Sequence, residues 1–284
     1  MSGSYYVPHE TKWPFLATLA LMIMFIGLAN YMNDESTLTL TFTGLGLLLL
    51  VIYGWFSYVV RESEGGLYDD QVDMSFRWGM AWFIFSEVMF FAAFFGALYY
   101  ARELSLPWLA GDGSGVSTNQ ELWPSFENVW PSNGPANYGG DFIVMKAAGI
   151  PALNTIILLI SGLTVTWAHH GLKEGKRNQL ILGLVATVLL GFIFVGFQAY
   201  EYSHAYNDLN LKMTSGIYGS TFYMLTGFHG FHVTLGAIML TVILFRCIRG
   251  HFTNENHFGF EAVAWYWHFV DVVWLGLFVF VYWL

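Results

Sequence analysis

The stretch that decides the fold lies between Arg177 and Glu201 and reads NQLILGLVATVLLGFIFVGFQAY (residues 178–200). It contains no charged side chain, and a helix needs about 20 apolar residues to cross a hydrocarbon core about 30 Å thick. The whole chain has a similar character, with 56% hydrophobic, 19% aromatic and only 11% charged residues, whereas soluble domains carry about 25% charged residues. The sequence therefore predicts an all-α integral membrane protein.

Six further stretches of similar length predict six more membrane spans. Four of them are free of charge, and the other two each hold one acid near the middle, Glu87 and Asp271. The predicted spans cover residues 13–32, 38–60, 77–100, 151–170, 179–200, 217–245 and 262–284. We interpret residues 1–284 as a single membrane domain, with spans one and two in 13–60 and spans three to seven in 77–284. The polar segment 61–76 is the predicted boundary between these groups.

The basic residues predict the direction of the seven spans. With the N-terminus inside and the C-terminus outside, the inner segments hold eight Lys and Arg residues and the outer segments three, as the positive-inside rule requires. The inner ones are Lys12, Arg61, Arg77, Lys173, Lys176, Arg177, Arg246 and Arg249, and the outer ones are Arg102, Lys146 and Lys212. Residues 102–150 form a long outer loop rich in Gly, Pro, Asn, Ser and Trp, which is either a flexible linker or a partner-binding loop.

Composition excludes several classes of function. A net charge of −9 argues against nucleic-acid binding. Cys247 is the only cysteine, which excludes an internal disulfide and any multi-cysteine metal site. The first residues, Met1–Tyr6, contain no basic segment of the signal-peptide kind, so we expect the first apolar run to be a true span.

Glu87 stands inside the third predicted span, in the string FSEVMFF (residues 85–91). An ionised group at membrane depth costs about 2.5–3.5 kcal/mol on insertion scales, so it needs a partner, a cavity or a neutral form. Apolar surroundings favour the protonated carboxyl. Glu87 either carries protons or forms a hydrogen bond within the helical bundle, and in both cases we expect it to react with a hydrophobic carbodiimide.

Three histidines and an acid lie within the last two predicted spans. His229 and His232 share a helix face because they are three residues apart, and His268 and Asp271 repeat that spacing on the last span. One interpretation is a metal or haem site, and the other is a hydrogen-bonded polar network that joins the two helices. Small residues around the histidines favour close helix packing, so we predict the network, with no metal ligand and no catalytic residue in this chain.

The predicted inner ends of several spans carry groups suited to lipid headgroups. Arg61, Glu62 and Trp55 lie at the end of the second span, and Arg246 at the end of the sixth. These residues are candidate headgroup ligands, although snorkelling alone also explains interfacial arginines. His169 and His170 close the fourth span, where positive charge suits the helix dipole and anionic lipid.

Several strings, taken together, resemble cytochrome c oxidase subunit III. The longest is FGFEAVAWYWHFVDVVW (residues 258–274), and TGFHGFHV (226–233) and FSEVMFF (85–91) precede it in the family's order. Shorter matches are YGSTF (218–222), TWAHH (166–170) and RES (61–63). The resemblance runs from about residue 13 to the C-terminus and is weakest across 102–150.

This resemblance implies a fold and a set of contacts. Helices one and two would form one group and helices three to seven another, separated by a lipid-filled cleft. Phospholipid headgroups would lie near Arg61, Glu62 and Arg246, and Glu87 matches the family's carbodiimide-reactive acid. Animal members carry a histidine pair after Arg-Glu-Ser, whereas this chain has Gly65–Tyr68, so we expect different headgroup contacts there.

The resemblance also implies the function. Members carry no haem or copper; those cofactors belong to partner subunits, which pass electrons from cytochrome c to dioxygen while protons are pumped. This chain would be a non-redox core subunit of that enzyme, stabilising subunit I as its main contact and meeting cytochrome c only indirectly. Phospholipid binding, proton uptake and oxygen access would be its contributions to aerobic respiration.

Two other functions remain open at this stage. Subunit III of a quinol oxidase is a near relative, although such relatives usually lack the first two spans. A haem-binding membrane cytochrome with His229, His232 or His268 as axial ligands is a less favoured alternative. A secondary transporter would be expected to consist of two sequence-related halves of inverted topology, and the sequence shows no such halves. The acidic loop and the lack of a targeting presequence favour a bacterial plasma membrane over a mitochondrial inner membrane.

Overall fold

The computed structural model describes residues 6, 11–33 and 37–284. These residues form seven long helices, and none of them lies in a β-strand. The helices are α1 (Trp13–Met32), α2 (Thr39–Glu64), α3 (Asp70–Tyr100), α4 (Ile150–Lys173), α5 (Arg177–Asn207), α6 (Gly216–Arg249) and α7 (Phe258–Leu277). All seven are long and apolar enough to cross a membrane. The predicted all-α membrane protein with seven spans is therefore confirmed.

Most of the helices extend beyond the apolar windows that predicted them. Helix α3 begins at Asp70 instead of residue 77, and α5 continues to Asn207 instead of residue 200. The additional first turns of α3 contain an ion pair between residues one turn apart, with Arg77 Nε 2.7 Å from Asp73 Oδ2. Most of the polar segment 61–76 is therefore helical, because only residues 65–69 separate α2 from α3.

The predicted outer loop also begins later than expected. Helix α3 continues through a π-helical turn (Ala101–Ser105) and one further α-turn (Leu106–Leu109), and a short helix follows at Val116–Leu122. Pro107 lies near the start of the Leu106–Leu109 segment, directly after the π-helical turn. The prediction of a loop starting at residue 102 is therefore wrong for its first part.

The remainder of this segment is fastened to the neighbouring polypeptide. The Tyr218 N–H donates to the Ser132 carbonyl at 3.1 Å, and the Ile143 N–H donates to the Leu209 carbonyl at 2.9 Å. The Trp130 ring packs edge-on against Tyr218, with centroids 5.5 Å apart. These contacts attach the loop to the start of α6 and to the residues that precede it.

The chain divides into two compact units, Met1–Trp78 and Gly79–Leu284. In the first unit, α1 and α2 pack with their backbones in close contact. A Cβ atom added at Gly44 would collide with the backbone of Met24 on α1, and one added at Gly27 would collide with the backbone of Thr41 on α2. Small residues that allow this approach are the usual means of pairing membrane helices.

In the second unit, α4 to α7 surround a buried aromatic core. Helix α5 packs on α4 and α6, and α7 packs on α6 and α4. Trp267 of α7 is fully buried, and its indole N–H donates to Ser161 Oγ on α4 at 2.9 Å. Trp274, about two turns further along the same face of α7, donates to Thr155 Oγ1 at 2.9 Å. Both tryptophans therefore satisfy their single polar atom inside the bundle.

The part of α3 in the second unit reaches α6 and α7 through large aromatic side chains. Phe90 lies edge-on to Phe228 of α6 at 5.1 Å, and Phe91 lies 6.1 Å from Phe269 of α7.

The helices differ in how much of their apolar sequence is buried within the protein. In the apolar 18-residue windows of α1, α2 and α3, only 6–11% of the residues are buried, whereas 39–50% are buried in those of α4 to α7. Helices α1 to α3 thus present most of their apolar surface to their surroundings.

Candidate functional site

Glu87 of α3 is hydrogen-bonded to His232 of α6. The Glu87 Oε2 atom lies 2.8 Å from His232 Nε2, and the other ring nitrogen, Nδ1, lies 2.6 Å from the Phe228 carbonyl oxygen. The His232 side chain is 9% exposed and that of Glu87 is 22% exposed. This pair is the polar link between α3 and α6.

The geometry determines how many protons the pair holds. A carbonyl oxygen can only accept, so His232 Nδ1 must carry a proton and donate it to Phe228. The contact between Glu87 and Nε2 then needs one further proton, which belongs either to a neutral carboxyl or to an imidazolium. Glu87 and His232 are therefore both neutral or both charged, and their summed charge is zero in either arrangement.

Aromatic rings pack around the His232 side of this pair. The His232 ring centroid lies 5.1 Å from Phe91, 5.9 Å from Phe90 and 6.4 Å from Tyr266. Apolar surroundings of this kind weaken solvation of charge, so they favour the neutral arrangement over the ion pair. In that arrangement Glu87 is the hydrogen-bond donor and His232 Nε2 is the acceptor.

His229 makes a separate contact between α6 and α7. Its Nε2–H donates to the Val270 carbonyl at 3.2 Å. The imidazole is fully buried and packs against Trp274, with centroids 5.1 Å apart, and edge-on to Phe194 at 5.8 Å. Its Nδ1 atom is buried without a hydrogen-bond partner among the described residues.

His268 and Asp271 face α4 instead of α6. Thr166 donates its hydroxyl proton to the Gly162 carbonyl at 2.9 Å, so its oxygen accepts from His268 Nε2 at 3.1 Å. His268 Nδ1 lies 3.6 Å from Asp271 Oδ2, and a Cβ atom added at Gly162 would lie 2.5 Å from that oxygen. The absence of a side chain at Gly162 leaves room for the carboxyl of Asp271.

The predicted intramembrane polar residues therefore occupy three separate contacts among the described residues. His232 bonds α3, His229 bonds α7 from α6, and the pair His268 and Asp271 lies against α4. The sequence grouped these four residues into a single network between the sixth and seventh helices. It missed α3 and α4 as partners because helix pairing in space is not encoded in residue spacing.

Among the candidate headgroup residues of the first unit, Glu62 is bonded to two tyrosines. This carboxylate is 8% exposed and accepts two phenol hydrogen bonds, from Tyr6 to Oε1 at 2.5 Å and from Tyr68 to Oε2 at 2.8 Å. The hydrogen bond to Glu62 raises the pKa of Tyr6 to about 12, and burial together with the same carboxylate raises the pKa of Tyr68. Arg61 is exposed beside it, and Trp55 is half-buried one to two turns earlier.

Arg246, the candidate of the second unit, lies at the end of α6. Its guanidinium stands 4.3 Å over the Phe252 ring, and the side chain is half-buried. On the same side of the bundle, Arg177 Nη2 donates to the Ile248 carbonyl at 2.7 Å. The end of α6 is thus joined to the start of α5 by a charged group.

One buried acid was missed by the sequence analysis. Glu201 served there only as the charge that ends the fifth span, but it lies inside α5 and is fully buried. Tyr282 donates to Glu201 Oε1 at 2.5 Å, and Gln198 Nε2 lies 3.4 Å from the same oxygen. The absence of any Gly or Pro from Phe197 to Asn207 was the available signal that the helix continues past residue 200.

Comparison with known proteins identifies the family. The model of the family "Cytochrome c oxidase subunit III" matches residues 3–111 and 123–284. The chain belongs to the cytochrome c oxidase subunit III family. The resemblance noted in the sequence is thereby confirmed.

Individual members of the cytochrome c oxidase subunit III family match over nearly the whole chain. Cytochrome c oxidase subunit 3 of Carassius auratus is 43% identical over 281 residues, which cover 99% of this chain and 97% of the relative. The protein of the same name from Pongo abelii is 43% identical over 283 residues, with the same coverage. That of Chondrus crispus is 42% identical over 286 residues, covering 98% of this chain and 93% of the relative.

The segment that the family model leaves unmatched, residues 112–122, has a defined structure here. It contains the 3₁₀ turn Gly113–Gly115 and the short helix Val116–Leu122. Asn119 Nδ2 joins this helix to the end of the α3 extension by donating to the Leu109 carbonyl at 3.1 Å. This feature is where the chain departs from the cytochrome c oxidase subunit III pattern.

Proposed function

We propose that this chain is a non-redox core subunit of a proton-pumping terminal oxidase that takes electrons from cytochrome c. Family membership makes it a multi-pass subunit of a terminal oxidase complex. The observation that supports a non-redox role is that the imidazoles inside its spans form hydrogen bonds with other helices of this chain. They hold helices together instead of presenting a ligand to a metal.

The arrangement of donors does not fit a haem group. Both nitrogens of His232 are occupied, one by Phe228 and one by Glu87. His229 donates its Nε2–H to the Val270 carbonyl, and its ring packs against Phe194 and Trp274. His268 uses Nε2 on Thr166. We therefore assign the haem and copper of the complex to its partner subunits and derive no electron transfer through this chain.

The apolar surface of the protein supports a role in assembly. Helices α1 to α3 bury little of their apolar windows within the chain, and large side chains such as Phe42, Phe56 and Trp82 are 63–66% exposed. We propose that subunit I covers part of this surface and phospholipid acyl chains the rest. Helix packing against a partner in this way stabilises both chains.

Phospholipid headgroups are the proposed ligands of Arg61 and Arg246, each within its own unit. Arg61 has no ion-pair or hydrogen-bond partner for its guanidinium among the described residues, whereas its neighbour Glu62 is already bonded to two tyrosines. Because guanidinium groups bind phosphates in a bidentate manner, Arg61 is the stronger candidate. Lipid held in this way also dissolves dioxygen, which is apolar, and so supports oxygen access to the oxidase.

The Glu87–His232 pair supports a tethering role in preference to proton carriage. Its one mobile proton is shared within a single hydrogen bond, and Phe90 and Phe91 pack against the histidine side of that bond. We propose that this chain aids proton uptake by stabilising subunit I and does not conduct protons itself. The host membrane that we propose, from the sequence, is a bacterial plasma membrane, which membrane fractionation of the source cells tests directly.

Purification in mild detergent through a tag on this chain tests the proposal. Haem, copper and partner polypeptides should arrive together, and the complex should oxidise reduced cytochrome c faster than a quinol. After the partners are stripped away, the isolated chain should have no Soret absorbance. A Soret band that stays with the isolated chain would overturn the assignment, and oxidation of quinol but not cytochrome c would reassign the electron donor.

A further inference from the structure

A cluster of two histidines and one glutamate joins the end of α4 to the start of α7. We propose that His169, His257 and Glu261 bind a divalent transition-metal cation of the Zn²⁺ type, which ties these two helices together at one face of the membrane. The proposed site is separate from Glu87 and from the three polar contacts within the spans, and it requires no particular electron donor or redox partner.

The fold brings the three residues together from distant parts of the chain. His169 lies one turn before α4 ends at Lys173, His257 immediately precedes α7, and Glu261 is in the first turn of α7. One possible ligand atom from each residue lies within 4.8 Å of the other two. The His169 and His257 rings meet edge-on, with centroids 5.6 Å apart.

Two buried nitrogen atoms point independently to a missing ligand. His169 Nε2 and His257 Nδ1 are both buried and have no hydrogen-bond partner among the described residues. Residue His257 as a whole is only 8% exposed. Leaving buried polar atoms unsatisfied is unfavourable, and coordination of a cation would give these two nitrogens a partner.

The identity of the ligands selects the class of cation. Two imidazoles and one carboxylate form a ligand set that zinc sites use, with a fourth position open to water or another donor. Mg²⁺ and Ca²⁺ prefer oxygen ligands throughout, so they should bind this cluster poorly. Zinc bonds to nitrogen and oxygen are about 2.0–2.2 Å long. Tetrahedral donors at that distance lie about 3.3–3.6 Å apart, so side-chain rotation has to bring these atoms together by up to about 1.5 Å.

The surroundings limit the charge and shape of the site. Phe260 packs on the His169 ring at 5.3 Å and forms an apolar wall. Lys173, one turn beyond His169, is exposed, so water screens its positive charge. Glu261 supplies the negative charge that partly neutralises the cation. Because Zn²⁺ has no redox chemistry, its effect here would be on helix association and not on electron transfer.

Zinc binding by the intact complex tests this inference. Complex purified through this chain and treated with a chelator is dialysed against micromolar ZnCl₂, and bound zinc is counted by mass spectrometry. The wild type should hold one zinc equivalent more than His169→Gln, and excess MgCl₂ should not displace it. His170→Gln is the matched control because His170 is the exposed neighbour of His169 and lies outside the cluster.

A second variant and a second readout complete the test. Glu261→Gln keeps the side-chain volume and should lose the same equivalent, which covers the case in which His169→Gln does not assemble. Zinc should also raise the temperature at which this chain dissociates in the wild type and in His170→Gln, but not in the two cluster variants. Equal zinc content in wild type, His169→Gln and Glu261→Gln would overturn the proposal.

Discussion

At the scale of the residue, the Glu87 carboxyl and the His232 imidazole share one proton between α3 and α6. The first prediction concerns Glu87→Gln. Glutamine has the same shape, and its amide N–H can donate to the neutral His232 Nε2 as the protonated carboxyl does. We expect assembly and initial turnover to stay close to wild type, measured as oxygen consumption per haem in purified complex.

Glu87→Ala is the contrasting change at the same position. It leaves a buried imidazole nitrogen without a partner, which destabilises the helix contact by about 1–3 kcal/mol. The variant should lose this chain from the complex at a lower detergent concentration or temperature than Glu87→Gln does. Complete loss of initial activity in a fully assembled Glu87→Gln complex would contradict the tethering role and favour proton carriage.

A second prediction at this scale uses chemical modification. A hydrophobic carbodiimide reacts with protonated carboxyls in apolar surroundings, and Glu87 is hydrogen-bonded to an imidazole that Phe90 and Phe91 pack against. At neutral pH, peptide mass spectrometry should find the label on Glu87, with exposed loop acids such as Asp112 and Glu121 as internal controls. Labelling of the loop acids without Glu87 would show that the carboxyl is ionised or inaccessible.

At the scale of the element, the packing of α1 on α2 depends on a glycine. The third prediction is that Gly44→Ala separates these helices, because the added methyl group would collide with the backbone of Met24, which cannot rotate away. Overpacking of this kind usually destabilises by about 1–3 kcal/mol. Faster proteolysis of α1 and α2 in the assembled complex should report the loss.

Gly46→Ala is the matched control on the same helix. A Cβ atom at Gly46 meets nothing within 4 Å in the protein, and alanine has the higher helix propensity by about 1 kcal/mol. Gly46→Ala should therefore be neutral or stabilising. Similar proteolysis rates for the two variants would mean that the close approach of α1 and α2 does not control stability.

The elements themselves were largely predictable from charge-free runs. A helix in lipid satisfies its own backbone, so an apolar run of sufficient length predicts a span almost irrespective of its neighbours. The ends were less predictable, because α3 and α5 continue into polar sequence such as Asp70–Arg77. The residues at these ends are polar because they lie beyond the hydrocarbon core, so hydropathy does not indicate where the helix ends.

The contacts of the candidate site were less predictable than the elements. His229 and His232 could be assigned to one helix face from their spacing, but not to α7 and α3 as respective partners. His169 and Glu261 are far apart in sequence and meet only through the packing of α4 on α7. Such contacts depend on which helices adjoin, and neither periodicity nor composition encodes that choice.

At the scale of the whole molecule, the exposed apolar faces and interfacial arginines predict lipid binding. Our fourth prediction is that Arg61→Gln lowers the amount of phospholipid phosphorus that co-purifies with the complex. Arg249→Gln is the control, because Arg249 is also exposed at a helix end but is not a proposed headgroup ligand. If the two variants co-purify with equal amounts of phospholipid phosphorus, Arg61 is not a headgroup ligand.

The zero summed charge of Glu87 and His232 has a consequence for an energised membrane. A full elementary charge moved across the bilayer gains about 2.3 kcal/mol per 100 mV, but a proton that shifts about 1 Å within one bond crosses only a thirtieth of a 30 Å core. The field therefore does less than about 0.1 kcal/mol of work on it per 100 mV. The protonation of Glu87 should consequently not depend on membrane voltage. Carbodiimide labelling of Glu87 in sealed vesicles should therefore proceed equally fast with and without an imposed potential.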